Sequence, residues 1–122
     1  MNRAPWIVGL TAAAMAAVNA ATPVSIRVNP SVTFAPATLV VRAQVEADES
    51  NRAVEVTADS DDFYRSSTIP LDGARAPRTS VFQFRDLPPG EYDVAAVVLG
   101  ADGNRRAIAR THVTVVESGL SR

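Results

Sequence analysis

The chain has 122 residues, with 12 basic against 13 acidic side chains, a formal net charge of −1, one histidine and no cysteine. That length supports one small domain with one core, and the near-neutral balance excludes the basic excess that nucleic-acid binding demands. The lack of cysteine excludes a disulfide framework, a lipidated anchor cysteine, a thiolate nucleophile and a Cys-ligated metal.

The N-terminus reads as a leader. Met1-Asn2-Arg3 supplies a positive start, Ile7–Val18 is an Ala-rich apolar run of 12 residues, and Val18-Asn19-Ala20 places small or tolerated residues at a cleavage site. The three regions in this order predict a secretory signal over residues 1–20, leaving 21–122 as the mature domain. The run is shorter than the roughly 20 residues that span a bilayer, so no stable membrane insertion is expected after cleavage. Losing Arg3 leaves 11 basic against 13 acidic side chains, a net of −2. Every basic residue is arginine, which we read as compositional bias rather than as phosphate chemistry. Export without cysteine fits a bacterial periplasm or a secreted protein. Asn29 is followed by Pro30, and no glycosylation acceptor is present.

Beyond residue 22 the hydrophobic period is two. Val24, Ile26 and Val28 alternate with Ser25, Arg27 and Asn29, predicting a half-buried strand ended by Pro30. Val32 and Phe34 are expected to continue it after a kink, because proline cannot donate into a ladder. Leu39, Val41, Ala43 and Val45 mark a second strand, and Asp48-Glu49-Ser50-Asn51 a polar turn. Val54, Val56 and Ala58 mark a third strand, with Glu55 and Thr57 facing out. Ser60 to Ser80 is irregular; a weak strand from Tyr64 to Ile69, Pro70-Leu71-Asp72-Gly73 and Ala76-Pro77 predict an edge strand and a long crossing between sheets. Val81 to Arg85 resumes the alternation with Phe82 and Phe84 inward, followed by Tyr92, Val94, Ala96 and Val98. Asp102-Gly103 suits a hairpin with positive φ at both positions. Ala107, Ala109, Thr111, Val113 and Val115 then line one face of the last strand. About seven short strands at this spacing predict an antiparallel β-sandwich.

The stretch Phe82-Gln83-Phe84-Arg85-Asp86-Leu87-Pro88-Pro89-Gly90-Glu91-Tyr92-Asp93-Val94 resembles the late strands of bacterial immunoglobulin-like and fibronectin type III-like domains. A similar motif occurs in prealbumin-like domains attached to carboxypeptidases and outer-membrane receptors. The resemblance implies an immunoglobulin-like sandwich in which Tyr92 forms a tyrosine corner. Its hydroxyl would bond backbone near Leu87 or Pro88, and Gly90 would supply permissive backbone. Paired cysteines and a core tryptophan, marks of antibody-type domains, are missing; Trp6 lies in the leader. Such domains serve as adhesion, spacer or recognition modules.

Candidate chemistry is sparse. His112 shares the polar face of the last strand with Arg110 and Thr114 and is expected to be a solvated surface residue, with no nucleophile elbow beside it. Asp59, Asp61 and Asp62, with Asp48 and Glu49, could supply calcium oxygens only if their loops converged. Phe63 and Tyr64 of Phe63-Tyr64-Arg65 could both cap the open end of the sandwich; alternatively, since neighbours on a strand point to opposite faces, if one aromatic is in the core the other is exposed beside arginine. That is the composition of a binding hot spot, which Arg75 and Arg78 could extend.

The expected function is therefore that of an exported, non-catalytic immunoglobulin-like module binding another protein or a cell-surface component through Phe63, Tyr64, Arg65, Arg75 and Arg78. The alternative is a structural subunit of an envelope or surface assembly formed by edge-strand pairing, with self-association. No cofactor, metal or nucleic-acid partner is expected.

Overall fold

The computed structural model describes residues 23–118; the expected signal sequence and Trp6 lie outside the described residues. Eight strands follow in order: β1 Val24–Asn29, β2 Val32–Phe34, β3 Ala37–Val45, β4 Ala53–Asp59, β5 Tyr64–Pro70, β6 Thr79–Leu87, β7 Gly90–Leu99 and β8 Arg105–Val116. Single 3-10 turns occupy Gly73–Arg75 and Ala101–Gly103. The strands form two sheets, a three-stranded one ordered β1-β3-β6 and a five-stranded one ordered β2-β8-β7-β4-β5. The fold is an all-β sandwich.

Alternation builds the core. In β3, Ala37, Leu39, Val41, Ala43 and Val45 are buried while their neighbours face water, and Phe82 and Phe84 lie beside them on β6. The larger sheet answers with Val54, Val56 and Ala58, with Tyr92, Val94, Ala96 and Val98, and with Val113 and Val115. Each such valine, leucine or phenylalanine contributes roughly 1.5–3 kcal/mol on burial, and each alanine less. With no disulfide, this contact carries the fold.

Two expectations need correction. Val32–Phe34 does not extend β1: it changes sheets and pairs in parallel with β8, Val32 opposite Thr114 and Phe34 opposite Val116. Pro30 has no N–H with which to continue the β1–β3 ladder, and the chain is caught instead by bonds from Thr114 N to Ser31 O (2.9 Å) and from Ala35 N to Val116 O (2.8 Å). Among the described residues the strand count is thus eight, and one pairing is parallel. The β7–β8 connection has positive φ at Asp102 (67°) and Gly103 (75°). It spans Gly100 to Asn104, closed by Gly100 N to Asn104 O at 2.8 Å, wider than a two-residue hairpin.

Candidate functional site

At one end of the sandwich the β6–β7 turn folds onto Tyr92. This tyrosine is fully buried, and its Oη donates to the Pro88 carbonyl at 2.7 Å. Burial pushes its phenol above the usual range, a rise opposed by a hydrogen bond with Ser60 and by the Arg65 charge. Leu87 is fully buried beside it. The left-handed residue of the turn is Asp86, at φ 60°, a conformation that aspartate tolerates better than most. Gly90 opens β7 at φ 158°.

Phe63 packs half-buried against Tyr92, edge to face, with ring centroids 6.4 Å apart. Tyr64 points the other way and is 60% exposed. Register explains Arg65: it stands opposite Ala58, an inward position at the open edge of the larger sheet. Its guanidinium lies 5.0 Å from the Phe63 ring centroid, and its Nη1 donates to the Arg85 carbonyl at 3.1 Å. Arg65 therefore clasps β5 to β6 and is not held out toward solvent. Arg75 and Arg78 are exposed but sit at the opposite end, beyond Pro70. The length of β5 separates them from Tyr64 by roughly 20 Å. The structure does not gather the five expected binding residues into one patch.

What it does gather was hidden in the sequence. On the outer face of the larger sheet, cross-strand register lines up Tyr64, Asp59, Asp93 and His112. Glu91 and Thr114 form the next pair. His112 Nε2 lies 2.5 Å from Glu91 Oε1 and its Nδ1 lies 3.4 Å from Asp93 Oδ1, while Thr114 Oγ1 donates to Glu91 at 2.9 Å. His112 is exposed, as expected, yet bridged. The hydrogen bond to Glu91, then that to Asp93, raises its pKa above the ordinary 6.5. The bonds from His112 and Thr114 hold Glu91 below the ordinary 4.5.

The two shifts define a window of pH. The His112 contribution is complete below 6.5 and fades as pH rises through its raised value; that of Glu91 is complete above 4.5 and fades as pH falls through its lowered value. The thermal midpoint is therefore expected to be higher at pH 5.5 than at pH 8.5, with the difference shrinking in His112→Gln. Both groups are solvent-exposed, so the effect is small and screened by salt.

The far end is organised by Asn51, the one buried polar residue among those described. Its Nδ2 donates to Glu46 O at 3.0 Å, and its Oδ1 accepts from Arg106 Nε at 3.3 Å. Its carbonyl accepts from Arg52 Nη1 (2.9 Å) and from Gly73 N (3.1 Å). The backbone N–H of Ser50, followed by Arg106, lowers the Asp48 pKa, and Arg106 Nη2 lies 3.2 Å from its carboxylate. Asp48 and Glu49 precede β4, while Asp59 ends it and Asp61 and Asp62 follow, so the two acidic groups lie at opposite ends of the strand and do not converge. Among the described residues no group of three or more His, Asp or Glu is placed to hold a metal, and no helix is long and apolar enough to cross a membrane.

No protein-family model matches the sequence, and no curated protein matches it. Solved structures do. A superoxide reductase (neelaredoxin) from Ignicoccus hospitalis aligns with 15% identity over 75% of this chain and 80% of its own, at a TM-score of 0.58. A family 76 glycoside hydrolase from a bovine Bacteroides thetaiotaomicron strain aligns with 17% identity over 80% of this chain, at a TM-score of 0.56; the chain spans only 21% of that enzyme. At these identities the likeness defines a class, the all-β sandwich, and nothing of its chemistry.

Proposed function

We propose that the chain is an exported, non-catalytic immunoglobulin-like module that recognises another protein or a cell-surface component through the outer face of its larger sheet. The immunoglobulin-like part is supported by the strand order, by the short parallel strand beside β8 and by the Tyr92 corner. The observation that carries the functional part is Tyr64. It is 60% exposed on an ordered strand, while the neighbouring Phe63 and Arg65 are both engaged by the fold. An aromatic ring beside carboxylates on a rigid sheet matches the make-up of interface anchors. Glu55, Asp59, Glu91 and Asp93 outweigh Arg110 and His112 on this face, which favours a partner with basic groups.

Affinity capture from envelope and secreted fractions tests the reading. The wild-type chain is expected to retain a stoichiometric partner that Tyr64→Ala binds about thirtyfold more weakly or worse, a hot-spot loss of about 2 kcal/mol. Full retention by a folded Tyr64→Ala counts against this face.

A second reading, edge-strand assembly, is favoured by β5. Bonds from Leu71 N to Arg52 O and from Ser60 N to Phe63 O fix which residues pair with β4. Antiparallel alternation then turns the backbone groups of Tyr64, Ser66 and Thr68 toward an open edge. Light scattering separates the readings: a monomeric mass over a wide concentration range removes assembly.

A further inference from the structure

The smaller sheet has an outer face of a different character. Register places Arg27 of β1 directly opposite Arg42 of β3, with Val81 of β6 next in the same row. The rows on either side are Ser25–Gln44–Thr79 and Asn29–Val40–Gln83, with Arg85 beyond. No carboxylate stands in these rows. Like charges directly opposed on neighbouring strands, roughly 5 Å apart at Cα, are destabilising. Among the described residues neither Arg27 nor Arg42 has an ion pair or side-chain hydrogen bond, whereas Arg106, Arg52 and Arg65 are all engaged. Two shallow depressions flank the pair. One is lined by Ile26, Arg27, Val28, Asn29, Arg42 and Thr111, the other by Ser25, Arg27, Arg42, Gln44 and Thr79. The near-zero net charge thus conceals a dipolar molecule, with one basic sheet face and one acidic.

We infer that the Arg27–Arg42 face is an anion-docking site whose ligand is a phosphate group, presented by the headgroups of an anionic lipid surface. Two guanidiniums side by side can each offer paired N–H donors to one phosphate. Neutral Asn, Gln, Ser and Thr donors surround them. A face three strands wide, with charged and neutral donors in adjacent rows, can meet several headgroups of an anionic surface at once. Val81, 53% exposed in the same row, sets an apolar contact beside Arg42, on the side away from Arg27. With this face on the lipid surface, the Tyr64 face points outward, on the opposite side of the sandwich, and stays free for a partner.

The test is co-sedimentation of the full chain with vesicles of phosphatidylglycerol and phosphatidylcholine, against vesicles of phosphatidylcholine alone. The wild type is expected to bind the anionic vesicles, to be released by salt, and to bind at least about tenfold more tightly than Arg27→Gln/Arg42→Gln. The variant keeps the same N-terminal segment, so the difference reports the face. Its thermal midpoint should not fall, because a repulsive pair has been removed. Inorganic phosphate, titrated while the arginine Nε–H resonances are followed, supplies the second arm. Shifts at Arg27 and Arg42 without vesicle binding keep the phosphate site and reject the lipid source. Equal vesicle binding by wild type and a folded double variant, with no phosphate shift, overturns the site. Tyr64→Ala should leave vesicle binding unchanged, so failure here is distinguishable from failure of the partner-binding reading.

Discussion

Tyr92→Phe is expected to lower the unfolding free energy by about 1–3 kcal/mol, measured by denaturant unfolding with an unchanged slope. The substitution keeps the ring in place against Phe63 and removes only the hydroxyl that donates to Pro88 O at 2.7 Å. The carbonyl then loses its protein partner in a half-buried turn. The effect extends beyond one bond, because the turn carries Asp86 at φ 60°, a conformation that persists only while surrounding contacts impose it. A neutral result would mean that the turn is held by the packing of Leu87 and not by the corner bond.

Asn51→Ala is expected to cost a similar amount, about 1–3 kcal/mol, at the other end of the molecule. Asn51 is 4% exposed, and its amide satisfies the Glu46 carbonyl on one side and the Arg106 guanidinium on the other. Truncation leaves the Glu46 carbonyl without its side-chain partner and Arg106 Nε without its acceptor, while Arg106 keeps Asp48. Asn51→Asp separates the two bonds: it keeps an acceptor for Arg106 but sets a carboxylate against the Glu46 carbonyl. It should rescue little. Recovery of near wild-type stability in Asn51→Asp would show that the Arg106 bond alone matters. The ion pair of Arg106 with Asp48 is partly exposed and contributes little by itself.

Most of the architecture is legible in the sequence because a period of two leaves little freedom. Leu39-Val41-Ala43-Val45 alternates with Arg42 and Gln44, so a one-residue slip would expose the whole set; Tyr92-Val94-Ala96-Val98 is anchored in the same way by Glu91 and Asp93, although Ala95, Val97 and Leu99 make the far half of that strand apolar on both faces. The destination of Val32–Phe34 is not legible, since Pro30 signals a break without saying which sheet the chain joins next. The larger losses concern pairing. Nothing local reveals that Asp59, Asp93 and His112 share a row with Tyr64, or that Arg27 faces Arg42, because each row joins residues many positions apart in the chain. Composition misleads in the same way: a near-neutral total hides two faces of opposite sign. Phe63, Tyr64 and Arg65 are adjacent in sequence, and of the two arrangements open to the aromatics, both capping the sandwich end or one in and one out, strand alternation gives the second. That Arg65 folds back onto β6 depends on where Arg85 ends up, which no local pattern carries.

If opposite faces of one sandwich do different work, a crossed assay separates them. Tyr64→Ala and Arg27→Gln/Arg42→Gln, each shown to be folded, are measured for both partner capture and binding to phosphatidylglycerol vesicles. The expected result is that Tyr64→Ala loses the partner and keeps the vesicles, while the arginine variant loses the vesicles and keeps the partner. Loss of both activities in either variant, or retention of both in either, would contradict it.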